Sequence, residues 1–536
     1  MIESRRALRH FRRVAATAAA MIAVLAAGDA AAATPRSVLV MAKSLDDLIT
    51  LDPAEVFEFS GAEITANLYL RLFRPNPDDP AKPLGEAVSS WRASADGLSF
   101  EFEVRDRLPF ASGRAMDAHD AVFSLRRAVA LNKAPSFILT QFGLSGDNVG
   151  ERVRALDDRR FTIMLDRAYA PSLVLNALSA GIASVVDREA VLANADGDLG
   201  EDWLRNHAAG SGAFSLRRWQ PGEYLLLDAN PSYWQGPPAL KRVAIRDIRE
   251  PSTQRLLLER GDVDMARNLG PDQLAAVDGI DGIRLLVVPR ARLFYLALNQ
   301  KRPPLDRPAV RKALRYLVDY QRIAERLLGP AARVHQAFLP QGFLGALDDR
   351  PFDFEPERAR GLLSEAGLAG GFEVRLDVRS DPIALRLAQA VQATMAEAGV
   401  RIEIVPGSAK QVLTRYRARR HELFMGQWGP DYLDPHTNAS TFARNPDNGD
   451  GAAERTLAWR NGWEIPELTA RADAAVLERD PARRARLYQE LQREVQADSP
   501  FIVLFQENEV IALSDRVEGF AAGITADQTS YHGLRK

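Results

Sequence analysis

No cysteine occurs anywhere in the 536 residues. That absence excludes disulfide staples, thiolate metal sites and thiol nucleophiles, and it excludes a bacterial lipid anchor, which would need a cysteine at the processing point. Uninterrupted apolar runs of the eighteen or so residues that span a bilayer are missing from the body of the chain. A basic excess is missing too, since the formal net charge is −2, so no nucleic-acid partner is expected. The seven histidines are scattered, with no HExxH pair, and the acidic loop from Asn445 to Asp450 lacks the glycine and terminal glutamate of a calcium loop. Neither a GxSxG elbow nor a GxxxxGK phosphate loop is present. No metal and no other cofactor is expected, and enzyme chemistry has no constellation to stand on.

The first residues do carry a pattern. Arg5, Arg6, Arg9, Arg12 and Arg13 precede an Ala-rich apolar stretch from Val14 to Ala27 and the small-residue run Ala30 to Ala33. This is the layout of a secretory signal over residues 1–33, with the ordinary or the twin-arginine export route both open. Its loss removes five arginines against Glu3 and Asp29 and takes the formal charge from −2 to −5. A freely diffusing periplasmic protein without a lipid anchor is the expectation. Apolar residues at 46% and charged ones at 26% describe a globular chain, and its length predicts two to four compact units.

Helical and strand patterns alternate along that chain. LSFEFEV, from Leu98 to Val104, alternates as a half-buried strand after the turn Asp96-Gly97, and Phe161, Ile163 and Leu165 repeat the pattern. Between them Asp117 reads as a helix cap supported by Asp120. Gly210 to Tyr233 reads as strand, Pro-Gly turn and strand. A helix is expected over Pro251 to Arg260, closed by Gly261, and another starts with Asp306 as cap and Pro308 in its first turn. From Gly371 to Asp431 three strands (Phe372 to Val378, Val400 to Val405, Glu422 to Trp428) alternate with two helices (Pro382 to Ala398, Ala409 to Arg419). Right-handed crossovers make such strands parallel, so their carboxyl ends share one edge, where open α/β sheets bind ligands.

That edge carries the densest chemistry in the sequence, QWGPDYLDPHT from Gln427 to Thr437. Asp431, just past the third strand, and Arg379, just past the first, could hold the two ends of a zwitterion, or could be solvated loop residues. Trp428 and Tyr432 could plug the core or wall a pocket, and Phe57 and Phe59, before Ser60-Gly61, have the same two readings. Asp431 with Asp434 as an acid and base pair gives a rival hydrolase reading, although three-residue spacing in a Pro-flanked loop fixes no distance between them.

The chain resembles the periplasmic solute-binding proteins of peptide ABC transporters, family 5, the oligopeptide- and dipeptide-binding proteins. The resemblance runs through LDPAEVFEFSGAEITANLYLRLF, SSWRASADGLSFEFEVRDRLPFASGRAMDAHDAVFSLRR, GSGAFSLRRWQPGEYLLLDANPSYW, STQRLLLERGDVDMA and FYLALNQKRPPLDRPAVRKALRYLVD, in that order. It implies an α/β two-lobed periplasmic-binding-protein fold (type II, cluster C) with an extra inserted α/β domain. Residues 34–78, 209–295 and 506–536 would form the first lobe, 79–208 its inserted domain and 296–505 the second lobe. Phe294 to Asn299 and Phe501 to Phe505 would cross between them as a hinge.

The resemblance also implies a site. Asp431, in WGPD, would hold a ligand's α-amine, the backbone of Gln427, Trp428 and Gly429 would pair with a peptide main chain, and Arg379 would take its carboxylate. Tyr432, Phe59 and Ser60 would complete the cleft. Pro430 supplies no N–H where a small donor residue is usual, and the loop RSDPIALR departs from the family pattern around Arg379. The implied function is non-enzymatic capture of di- to oligopeptides by a monomer and delivery to an inner-membrane ABC permease. The alternative is a receptor of the same fold for an opine, glutathione, an oligosaccharide or a metal chelate.

Overall fold

A computed structural model describes residues 34–452 and 454–536, so the expected signal at 1–33 lies outside the described residues. One eleven-stranded sheet organises most of the chain. Its two long strands, Ile283–Leu298 and Phe501–Ser514, pair antiparallel with each other and divide the sheet. On one side stand Met265–Ala266, Val38–Lys43, Arg242–Asp247, Tyr224–Ala229 and Phe214–Gln220. On the other stand Leu423–Trp428, Phe372–Arg379 and Val400–Gly407, and the eleventh strand, Ala332–Val334, pairs off this order with Phe501–Ser514. This is a two-lobed α/β architecture in which two strands belong to both lobes.

The crossing strands are longer than the hinge segments expected from sequence, and they are interrupted. Their register shifts between Pro289 and Leu293 and again between Phe294 and Tyr295. Proline brings no N–H to a ladder, so a bulge is where a strand tolerates it. The fully buried Gln506 repairs part of the gap by donating its amide to the Arg290 carbonyl at 2.9 Å.

A separate four-stranded sheet, Val88–Ala93, Ser99–Val104, Arg160–Met164 and Val153–Ala155 in that spatial order, carries the alternating segments. The helix Ala118–Leu131 packs on it behind the capping box read from sequence, in which Asp120 N–H donates to Asp117 at 3.0 Å and Asp117 N–H to Asp120 at 2.9 Å. Phe100, Phe102 and Phe161 stack at the centre of this unit's core. Two residues far away in sequence, Tyr432 and Val476, close that core from the second lobe.

Strands Phe372–Arg379 and Val400–Gly407 are parallel, as are Phe372–Arg379 and Leu423–Trp428. The helices between them, Pro382–Ala396 and Ala409–Arg417, supply the crossovers, each stopping two residues earlier than expected. One expected cap is displaced. Helix Pro308–Tyr316 starts from Arg307, which makes no side-chain capping bond, and Asp306 lies outside the capping position.

Candidate functional site

Strand Leu423–Trp428 lies against Ile283–Leu298 along its whole length, with Leu293 opposite Trp428 and Phe294 opposite Gln427. Its other edge pairs with Phe372–Arg379 only at Leu423 and Phe424. The backbone from Met425 onward thus leaves an edge without a strand partner among the described residues, which is the geometry an extended guest can join. The Gln427 side chain is exposed, and Trp428 is half-buried. The Trp428 indole donates to Asn438 at 3.3 Å and sets its edge against Phe442, so its body belongs to the second-lobe core.

The loop that follows separates its two aspartates completely. Asp434 accepts both forks of Arg484 at 2.6 and 2.7 Å, and the pair is 1% and 0% exposed. It also caps helix Pro435–Phe442 through His436 N–H at 2.9 Å. A carboxylate held in this way has a structural duty, with both oxygens already engaged by Arg484 and the helix cap rather than turned toward Asp431. Arg484 further reaches Ser172 at 3.2 Å in the four-stranded unit.

Asp431 has no such partner. Its only side-chain bond is from the Thr437 hydroxyl at 3.3 Å, and no cation of the described residues pairs with it. Burial pushes its carboxyl up to about 7, with the Thr437 bond the only opposing influence. His436 next to this loop is pushed down to about 4 by burial and is neutral at pH 7. Among the described residues no three acidic or histidine side chains gather as metal ligands.

Tyr432 does not wall an open pocket. It is buried in the core of the four-stranded unit, and its hydroxyl donates to Gln141 at 3.1 Å. Gly429 does face the cleft, with the Phe59 ring 3.7 Å from where a β-carbon on it would stand. Phe59 opens the helix Phe59–Leu68 and is 53% exposed. Ser60 is buried, and its N–H is already given to Asp47 at 3.0 Å. Phe57 meets Phe137 edge-on with ring centres 6.2 Å apart, both rings half exposed.

Arg379 is not brought to Asp431. Leu376 pairs with Leu423 and Asp377 with Phe424, and the same register sets Arg379 level with Gly426, short of the strand end. Its side chain is 47% exposed and lies 3.5 Å from Asp381. The cation nearest the loop in the ladder is one the sequence did not single out. Arg292 precedes Leu293, the residue that pairs with Trp428 at the end of the ladder, stacks its guanidinium 4.1 Å over Phe59 and pairs with Glu507 at 3.0 Å. A signal for it existed: Arg290 and Arg292 alternate on one crossing strand and Glu507 and Glu509 on the other. Thr437, Gln141 and Arg484 left no comparable pattern.

Two lobes are joined by crossing strands, and the loop after strand Leu423–Trp428 carries a half-buried carboxylate, Asp431, that meets no cation among the described residues. The chain belongs to the bacterial extracellular solute-binding proteins, family 5, whose model matches residues 82–450. It is 27% identical over 493 residues to the "Probable D,D-dipeptide-binding periplasmic protein" of Escherichia coli (strain K12), covering 91% of this chain and 92% of that protein. It is 26% identical over 506 residues to "Di/tripeptide-binding protein 2" of Pseudomonas aeruginosa (strain UCBPP-PA14), covering 90% and 92%. The fold matches that of a periplasmic binding protein from Helicobacter pylori solved in complex with the peptide STSA, at a TM-score of 0.76 and 21% identity over 93% of this chain and 98% of that one. No helix among the described residues is long and apolar enough to cross a membrane.

Proposed function

We propose that this chain is the periplasmic receptor of an ABC importer, capturing a short peptide or another compound with a primary amine and handing it unchanged to an inner-membrane permease. The names of its relatives support the class of guest, since two of them are di- or tripeptide-binding proteins. The observation that carries the reading is Asp431, a half-buried carboxylate that meets no cation among the described residues. An ionised acid in such a place is costly until a positive charge arrives, and a guest's ammonium supplies it. The unpaired edge beyond Phe424 would bind main chain irrespective of side chain. Residues 34–78, 209–295 and 506–536 would move as one lobe with 79–208 attached, and 296–505 as the other, with a single chain completing the cleft. Closure would be favoured by contacts to both lobes.

Calorimetry of wild type and Asp431→Asn with a dipeptide library tests this. A charge-assisted bond contributes about 1.5–3 kcal/mol, so the variant should bind roughly 10- to 150-fold more weakly, while Arg379→Gln stays within about twofold. Equal affinity in Asp431→Asn, or peptides recovered cleaved, would overturn the reading.

A further inference from the structure

We propose that the end of the second lobe away from the cleft is an arginine-rich docking surface for the phosphate headgroups of an anionic phospholipid bilayer, and that this contact holds the chain reversibly at a membrane face. The surface is independent of what the cleft holds.

Strands Leu423–Trp428 and Ile283–Leu298 finish together, with Leu298 opposite Leu423, and three segments crowd that end. Asn299 donates its amide to the Arg419 and His421 carbonyls at 3.0 and 2.9 Å, and Gln300 N–H donates to the Asn461 carbonyl at 2.9 Å. These turns gather Lys301, Arg302, Arg419, Arg420, Arg455 and Arg460. Arg419 and Arg455 stack on the Trp459 ring at 4.3 and 5.1 Å, and Lys301 and Arg419 reach the same Asp450 oxygen at 3.4 and 3.2 Å. Arg460 stacks at 5.4 Å on Tyr416, the ring that meets His421 edge-on at 4.7 Å. Burial pushes His421 down to about 4, and the nearby charges of Arg302, Arg460 and Arg419 add to that push. Asp450 is the one carboxylate that these cations meet among the described residues, so most of their charge is uncompensated in a chain whose overall charge is negative.

The chemistry of the patch selects its partner. All of its cations but Lys301 are guanidiniums, whose forks match phosphate oxygens in pairs. Arg302, Arg420 and Arg455 are exposed, and none of the three pairs with a carboxylate among the described residues. A protein partner would ask for apolar or aromatic anchors at the centre of the contact. None of the exposed large apolar side chains of the described residues belongs to these segments, and Tyr416 and Trp459 are buried. A charged bilayer asks only for clustered cations within a screening length of its surface. Strand Leu423–Trp428, six residues long, separates the patch from the Asp431 loop, a distance of about 20 Å at the usual rise. Docking there leaves the cleft free.

Flotation of the full mature chain with vesicles of phosphatidylcholine alone, and of phosphatidylcholine mixed with phosphatidylglycerol, tests this. Wild type should partition at least about tenfold more onto the mixed vesicles at about 0.01 M salt and come off at about 1 M, where the screening length shrinks to about 3 Å. The triple variant Arg302→Glu, Arg420→Glu, Arg455→Glu should lose at least about tenfold in partition. A second triple, Arg36→Glu, Arg154→Glu, Arg260→Glu, changes the net charge equally at exposed arginines across the sheet and in the four-stranded unit, and should stay within about threefold of wild type. Equal partition of wild type onto both kinds of vesicle overturns the surface, as does an equal loss in the two triples. Soluble polyglutamate of matching total charge should leave wild type on the mixed vesicles; complete release by it assigns the patch to an acidic polypeptide and overturns the bilayer. Should a triple variant lack a cooperative melting transition, the wild-type comparison of vesicles, salt and polyglutamate still decides.

Discussion

Two sets of buried carboxylates share this sheet and behave in opposite ways. Beneath the first lobe, Glu63 meets Lys43, Arg267 and the Tyr531 hydroxyl, and Glu509 meets Arg267 and Arg290. Burial pushes the Glu509 carboxyl up, but the charges of Arg267 and Arg290 outweigh it and leave it at about 2. In the loop after the third strand Asp431 is half-buried, no cation among the described residues opposes its loss of solvent, and its carboxyl stands at about 7. The lesson is that burial alone does not set the state of an acid; the charges packed beside it do. The first set comes complete, so it belongs to the folded framework. The second is incomplete, and on the proposed reading a guest's charge would complete it.

The contrast breaks most visibly where the complete set is opened. Arg267→Met leaves Glu63 and Glu509 short of a shared cation, and removal of one member of a buried pair costs about 3–5 kcal/mol. Urea unfolding should register a loss of that order, and a loss below about 1 kcal/mol would show that the network is no framework. Asp431→Asn, in the same assay without peptide, should match wild type near pH 4, gain stability over it as pH rises toward about 7, and hold that gain above.

Acidity sharpens the other side. Asp431 sits at about 7 in the folded chain against an ordinary 3.8, so between those values the folded state holds the extra proton. Stability from this group therefore falls as pH rises from about 4 to about 7, and the loss is complete above that. A bound ammonium favours the ionised form, so capture expels the proton. Affinity for a dipeptide should climb by close to tenfold per pH unit up to about 7 and then level. Calorimetry in buffers of different ionisation enthalpy between pH 5.5 and 7.5 reads that proton, which Asp431→Asn should abolish. The groups facing Asp431 are the Thr437 hydroxyl and, farther off, Asp434 locked to Arg484; a flat profile in wild type would place the waiting charge elsewhere.

The smallest effect lies between the two sets. Tyr432→Phe removes a single neutral bond to Gln141 across the lobes, worth about 0.5–1.5 kcal/mol. Peptide release followed by stopped flow should quicken by about tenfold at most, with the melting temperature little changed.

Much of the framework was legible from periodicity. The alternation of LSFEFEV, the Asp117 cap and the three strands from Phe372 to Trp428 depend on neighbours within a few residues, and the structure has them where the pattern places them. The site was legible only in part. Asp431 could be found because it follows a strand end, but its lack of a partner could not, since that depends on which side chains arrive from elsewhere. Arg379 was read as lying just past its strand, whereas it ends that strand level with Gly426, because the offset that sets Leu376 beside Leu423 leaves no mark in either segment. Tyr432 was left between core and pocket because the core it enters is built from residues some three hundred positions earlier. Arg292 and Glu507 did leave a trace, as matching alternations of opposite charge on two segments over two hundred residues apart.

The irregularity at Pro289 has one more meaning. Missing rungs make a ribbon compliant, and here they fall between Pro289 and Leu293, directly beside Arg292. If the two lobes hinge there, a small displacement at the bulge would be magnified into a wider swing at their far rims. On the proposed reading those rims would be the surfaces on which the transporter reads occupancy.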